Sequence, residues 1–479
     1  MIPFARFEPD RASFDPEASD ATMNALPAAK GWVPQPDIAA ISEALAAECL
    51  GAVYVRTIAG GFRLIAGTSN ALYELNLTDY TWDDLTGSTV PAVPAGHRWC
   101  FTIYGQNLIA VNLGTVPQYI AIDAGTEFAD LAGSPPTAKF AWIAGEFLVL
   151  GHIASNPNRI QTSGIGDATY WTVGQRGADL QDFPDGEEIM GGIGSEKGAI
   201  IFQRTMIRQM VITQGDFSFA TQVVNPNRGV VAPYSIAQIG PGQFFYYSSD
   251  GFFLGAEGKP IGAQRVDQWF AGRLDNQKVK EVRSVADPFN KIVWTQAEDA
   301  AGSKFFIGYH WQLDRWCQSD VTLSEMAVLV TPGISINGLD DLYASIDDVS
   351  EPFDSGLFTG GLPRFAAFGA DNRLGFFTGT PREAVLETYD DEPFPGMRGF
   401  LQEARFYTDA TTFTAQVGTF DYHGGAVTWS DEVTPYSSTK VCHFRNSGRL
   451  FRYRQNIPAG TSWNHAIGVE PKVRQEGRR

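Results

Sequence analysis

Charge is scarce in this 479-residue sequence: Asp, Glu, Lys and Arg together make up 19%. Such a share argues against a helical bundle or coiled coil, which draws heavily on Ala, Glu, Lys and Leu. Cysteine is scarcer still. Cys49, Cys100, Cys317 and Cys442 lie far apart with no CxxC pair, and they read as isolated buried thiols of a protein made in a reducing cytosol. Residues 1–20 hold Arg6 and Arg11 but no apolar run, so no secretory signal is expected there. No stretch is apolar for long enough to predict a membrane-spanning helix. HExxH, GxSxG and Walker loops are all missing. The glycine-rich stretch 192–198 has the wrong spacing for a phosphate loop and a strand follows it, so it reads as a β-turn. The six histidines, His97, His152, His310, His423, His443 and His465, are scattered and read as strand or turn residues. No catalytic, cofactor-binding or metal-ligating set emerges, and the sequence reads as that of a protein that is not an enzyme.

What is abundant points to β-structure. Glycine (50) and proline (27) supply turns, aromatics reach 13%, and the apolar share of 44% excludes disorder. Residues 10–37 are Pro/Ala/Asp-rich and read as an irregular arm, with the first 50 residues forming a leading segment. Helical spacing occurs twice, at Ile38, Ile41 and Leu45 and around Val266, Trp269, Phe270 and Leu274 in 264–275. The remainder reads as hairpins beginning near residues 51, 98, 140, 196, 243 and 291. A recurrence every 40 to 55 residues, about four strands per unit, predicts a β-propeller of about six blades over 51–360. The alternative is a large sandwich with coincidental spacing. A strand, a polar turn and an aromatic–Trp pair recur at 72–84 and 307–317, which suits the outer hairpin of a blade. From 361 to 479 the texture changes, predicting one last hairpin (Phe365 to Gly379) and then a C-terminal β-sandwich-like domain.

The net charge of −18 is uneven: residues 435–479 hold nine basic and two acidic side chains, a net +7 that leaves −25 on the rest. Arg449, Arg452, Arg454, Lys472, Arg474, Arg478 and Arg479 are the candidate contacts with a neighbouring subunit or partner. Strand alternation sets Leu450, Arg452 and Arg454 on one face and aromatics on the other. Two acidic clusters carry possible chemistry. Asp340, Asp341, Asp347, Asp348 and Glu351 offer clustered oxygens for Ca²⁺, but the EF-hand alternation and its glycine are absent, which favours a solvated loop. Asp179, Asp182, Asp185, Glu187 and Glu188 hold a possible glycosidase-like carboxylate pair, but the repeated Ser-x-Asp-x-Gly-x-x-Trp box of propeller sialidases is missing, so a turn with a solvated acidic face is expected.

Several stretches occur in a telling order: Asn24-Ala-Leu-Pro27, Gly31-Trp-Val-Pro-Gln-Pro36, Cys49-Leu-Gly-Ala52, Asp182-Phe-Pro-Asp-Gly186, Arg228-Gly-Val-Val-Ala-Pro-Tyr-Ser235, Val266-Asp-Gln-Trp-Phe270, Asp314-Arg-Trp316, Arg373-Leu-Gly-Phe-Phe-Thr-Gly379 and Ile457 to Val469, closing on Glu476-Gly-Arg-Arg479. This order resembles the hub or nozzle (packaged-DNA stabilisation) tail proteins of short-tailed bacteriophages, over nearly the whole chain. The resemblance implies a structural virion protein, synthesised in the host cytoplasm, with a β-propeller subunit. It implies a homo-oligomeric, hexameric ring below the head-to-tail adaptor that extends the DNA channel, retains packaged DNA and carries tailspike, fibre or needle proteins. No cofactor and no catalytic residue follow from it. DNA is expected to pass without specific binding, because an acidic wall repels phosphate. The alternative reading is a receptor-binding or depolymerase propeller at the tail tip.

Overall fold

A computed structural model describes residues 1–19, 21–213, 218–330, 345 and 363–477. Strands dominate, and six consecutive four-stranded antiparallel meanders occupy 52–84, 100–130, 138–182, 189–225, 237–260 and 283–319. A seventh sheet takes Leu323–Val330, Pro363–Gly369 and Arg373–Phe376 in chain order, and its outer strand is Ala39–Ala44 from near the N-terminus. The first strands of successive sheets touch one another around the molecule, except that Ile189–Ser195 of the fourth meets the short turn Pro233–Ser235 leading into the fifth, and the first strand of the seventh touches that of the first. This is a closed β-propeller of seven blades with the first strand of each blade innermost.

Two features hid the seventh blade. Residues 331–362, which apart from 345 lie outside the described residues, separate its first two strands in sequence. Its fourth strand lies in the segment predicted to be helical from Ile38, Ile41 and Leu45. That segment is extended instead, pairing Ala44 with Arg373 and Ala39 with Phe376. Leu374 N–H also donates to Ser42 Oγ at 2.9 Å. The pairing is available only once the blade exists, so tertiary context overrides the local helical spacing. The hairpin at 365–379, expected with the C-terminal domain, therefore belongs to the propeller. The irregular step between the hairpins at 140 and 196 also has a simple origin. The earlier one joins the first two strands of its blade, whereas the later one joins the second and third.

Seven apolar clusters hold the ring. Six fill the interfaces between consecutive blades, and the seventh joins blade 7 to blade 1 through Leu329, Phe368, Leu374 and Phe376 against Leu64, Ala66 and Leu75. The strand Asn107–Asn112 shows how the sequence achieves this. Leu108 and Ala110 face blade 1, while Ile109 and Val111 face blade 3. A strand between two sheets is apolar on both faces, so its sequence is an uninterrupted apolar run. Trp142 closes the interface of blades 3 and 4 by lying flat on Gly151 and Gly192. A Cβ at Gly192 would stand 2.4 Å from the indole.

Apart from a two-stranded parallel pair, Arg6–Phe7 with Ala18–Ser19, the remaining strands form two packed sheets. One runs in the order Val441–Gly448, Arg398–Thr408, Ala466–Gly477, Gly31–Pro34, Ala25–Ala28, with Ile2–Pro3 also paired on Ala466–Gly477. The other runs Ala384–Glu387, Leu450–Ile457, Thr414–Phe420, Thr428–Trp429. The expected sandwich is thus built from both ends of the chain: the expected irregular arm, 10–37, supplies two of its strands, and Ile2–Pro3 of the leading segment a third. Its core is continuous with blades 6 and 7: Trp32, Phe406 and Tyr453 share one cluster with Trp294, Cys317 and Phe365. The arm grips blades 5 and 6 as well. Phe7 packs edge-on against Trp269, and Asp10 accepts hydrogen bonds of 2.7 Å from the backbone N–H groups of Gln268 and Trp269. Asp10 thereby caps Asp267–Arg273, the short helix anticipated within 264–275. Among the described residues no helix is long and apolar enough to cross a membrane.

The ring-closing interface predicts a specific sensitivity. Leu374→Ala, fully buried between blades 7 and 1, is expected to lower the free energy of unfolding in urea by about 2–5 kcal/mol. Ile103→Ala, on an exposed side chain of blade 2, is expected to change it by no more than about 0.5 kcal/mol.

Candidate functional site

The first strands of all seven blades line a central cavity of about 370 Å³. Trp99, Phe101, Phe140 and Tyr234 make much of its wall, while its charge comes from Arg98, Arg283 and Glu325. Each of these three stands near the start of the first strand of a different blade, so the propeller brings together side chains 42 to 227 residues apart. Glu325 Oε2 lies 2.6 Å from Arg283 Nη1 and also pairs with Arg98 Nη1. Arg283 is otherwise saturated: its Nη2 donates to the Ser324 carbonyl at 2.5 Å and its Nε to Gln296, which in turn donates to the Leu323 carbonyl at 2.9 Å. Arg98 is held by its backbone N–H, which donates to Tyr234 Oη at 3.1 Å. Burial pushes both guanidinium pKa values down. Burial also pushes the neighbouring Cys49 thiol up to about 12, so it remains protonated. Two guanidiniums share one carboxylate in a largely apolar chamber.

A second charged group stands beside the first. Glu188 receives Lys280 Nζ at 2.7 Å and lies 4.0 Å from His152 Nδ1, which faces the Ile189 carbonyl at 2.9 Å. Lys139 is only 5% exposed, and its ammonium sits over the rings of Phe140 and Tyr234, 5.3 and 5.1 Å from their centres. Burial, aided by Lys280, pushes its pKa down to about 8 against the pull of Glu188. Burial likewise pushes His97 down to about 4, with Lys139 adding to the effect, so the imidazole is neutral near pH 7.

The basic residues singled out from the sequence have diverse fates. Arg452 pairs with Asp390 at 2.8 Å and lies 3.7 Å from Glu387. Arg454 reaches Glu387 at 2.5 Å while stacked 3.8 Å over Trp429. Both carboxylates are buried, so these arginines are internal ties of the sandwich instead of free contacts. Lys472 pairs with Glu403 at 3.1 Å on the surface, Arg474 is exposed, and Arg449 is half-buried. Arg478 and Arg479 lie outside the described residues, as does the acidic loop with Asp340, Asp341, Asp347, Asp348 and Glu351. In the other acidic cluster Asp182 accepts from Arg159 Nε at 2.7 Å and Nη2 at 2.8 Å, which holds its pKa low, and Asp185 pairs with Arg208. A general acid needs the opposite shift.

Sequence reasoning passed over Arg98, Arg283, Glu325 and Lys139. The available signal was a charged residue at the head of an otherwise apolar strand, as in Arg98-Trp-Cys-Phe and Lys139-Phe-Ala-Trp.

Two outcomes check the electrostatics. Glu325→Gln leaves two buried guanidiniums without their shared carboxylate and is expected to lose about 3–5 kcal/mol of unfolding free energy. Lys139→Met is expected to stabilise the fold at pH 7. The native ammonium deprotonates near pH 8 and the unfolded one near its ordinary, higher value, so the unfolded state binds more protons between the two. The wild type therefore gains stability as pH rises through that window, and the advantage of Lys139→Met shrinks there. Urea titrations at pH 7 and at pH 10 read the difference.

No family model matches the chain, and no curated protein matches it. Among solved structures it is similar to BamB from Moraxella catarrhalis at 12% identity, covering 74% of this chain and 92% of that one with a TM-score of 0.35. It is similar to YCF48 bound to D1 peptide at 12% identity, covering 60% and 87% with a TM-score of 0.35. A Mycobacterium tuberculosis puromycin-hydrolyzing peptidase shows 14% identity over 66% of this chain and 55% of that one, with a TM-score of 0.36. Likeness at this level assigns no function to the chain, and the propeller fold rests on the sheet order and the ring of core clusters.

Proposed function

We propose that this protein is a structural subunit of a bacteriophage tail, forming the nozzle or hub ring that extends the DNA channel below the adaptor. The observation that carries this reading is where the motifs of the resemblance lie. Gly31, from the Gly-Trp-Val-Pro stretch, packs so tightly on the closing Ile457 to Val469 stretch that a Cβ would stand 2.4 Å from the Ala466 carbonyl oxygen. Its φ of +102° already disfavours other residues. Asn24, from the first motif, donates to the Glu383 carbonyl at 2.8 Å and accepts from Ser319 Oγ at 3.2 Å and Asp320 N–H at 3.1 Å. It thereby ties the arm to blade 6 and to the sandwich. Motifs more than 400 residues apart meet at one joint. Residues spent on fixing two β-domains rigidly together suit a load-bearing ring subunit better than a freely presented binding module.

The charge division supports the same reading. An acidic body lets phosphate slide past, and the exposed part of the basic end, with Arg474, remains for attachment to a neighbouring copy, the adaptor or a tailspike. Imaging at low resolution of a particle containing the chain is expected to find six copies directly beneath the adaptor. A distal position, or Asp182- and Asp185-dependent cleavage of host polysaccharide, would instead establish the receptor-binding or depolymerase reading. Arg474→Ala, which removes an exposed charge and leaves the strand backbone in place, is expected to weaken ring assembly while leaving the unfolding midpoint of the subunit unchanged. Arg454→Ala, which takes the 2.5 Å guanidinium away from the buried Glu387, is expected to lower that midpoint.

A further inference from the structure

We infer that the central cavity is a binding site for a small carboxylate with a flat apolar body, with Arg98 as its anchor. The inference does not depend on the tail reading. It rests on three observations. Two guanidiniums share the single carboxylate of Glu325, so the buried group carries an excess positive charge. Glu48 and Glu281, whose fields reach both arginines, are exposed and screened by water. The second observation is the inequality of the two arginines. Arg283 spends Nε, Nη1 and Nη2 on Gln296, Glu325 and Ser324. Arg98 engages Glu325 through Nη1 alone, and among the described residues its Nε and Nη2 meet no acceptor. Arg98 lines the cavity, so a guanidinium edge with unused donors borders an open space. The third is the space itself. About 370 Å³ bordered by Trp99, Phe101, Phe140 and Tyr234 is of the size and apolar character that small-molecule sites have.

The chemistry of the ligand follows from the donors. A guanidinium edge is planar and matches the two oxygens of a carboxylate in a paired, parallel arrangement. Phosphate presents more acceptors than one such edge satisfies, and of the surrounding rings only Tyr234 carries a hydroxyl to add a donor, Trp99 Nε1 being spent on the Thr68 carbonyl. Those rings do offer flat apolar surface to the body of the ligand. Lys139, held behind the Phe140 and Tyr234 rings without an anionic partner among the described residues, adds a favourable field.

Calorimetric titration of the full chain with benzoate tests this, with benzyl alcohol as the neutral counterpart and inorganic phosphate as the bare oxyanion. The expected result is saturable benzoate binding at millimolar concentration or tighter, no binding of benzyl alcohol, and weaker binding of phosphate. Arg98→Gln is expected to weaken benzoate at least tenfold. Because Arg283 still covers Glu325, the fold survives that change, which circular dichroism checks. Arg98→Lys keeps the ion pair but loses the planar edge, and is expected to weaken benzoate severalfold should the Gln variant be unstable. The inference is overturned by a lack of saturable benzoate binding, by equal binding of benzyl alcohol, by phosphate binding more tightly than benzoate, or by undiminished affinity in a folded Arg98 variant.

Discussion

The closing of the blade ring by Ala39–Ala44 is the contact on which everything else depends. Seven sheets in series leave two open ends, each with an unpaired strand edge and an uncovered apolar face. Pairing the N-proximal strand with Arg373–Phe376 completes the last sheet and brings Leu374 and Phe376 against Leu64 and Leu75 of blade 1. The other six interfaces are local in sequence and need only neighbouring blades. This one joins segments more than 300 residues apart, so its formation bears the largest loop-closure entropy and turns a strip of sheets into a rigid ring.

The same excursion of the chain explains the second domain. A strand that must reach blade 7 from the N-terminus brings residues 1–38 close to the C-terminal strands, and the two ends share one sheet. Gly31 permits the close approach to Ala466. The core then runs without a break from Tyr453 through Trp32 to Trp294. The net +7 of the last 45 residues is accordingly divided by position. Arg452 and Arg454 neutralise the buried Glu387 and Asp390 inside the domain, whereas Lys472 and Arg474 remain at the surface. Charge that looks like a single basic tail in one dimension performs two separate tasks in three.

At the ring centre, charged groups are held buried against the usual preference for neutrality. Arg98, Arg283 and Lys139 are held among aromatic walls with Glu325, among the described residues, as the one carboxylate in direct contact with both guanidiniums. Such an arrangement costs solvation that the shared carboxylate only partly offsets. A propeller imposes that geometry because its innermost strands all present their first residues to one small space.

The sequence by itself determined the all-β class, the propeller, most of its hairpins, the short helix near 267 and the presence of an additional β-sandwich toward the C-terminus. These depend on period-two apolar runs and on turn residues a few positions away, which are local properties. Only the tertiary structure decided the seventh blade, the helix-like stretch 38–45 that became a strand, and the joint origin of the sandwich, because each depends on pairing between distant segments. The central site was illegible for the same reason. Arg98, Arg283 and Glu325 stand at or near the heads of three different strands, and nothing local marks them as partners. They become one group only because closing the ring directs the first strand of every blade at the same axis.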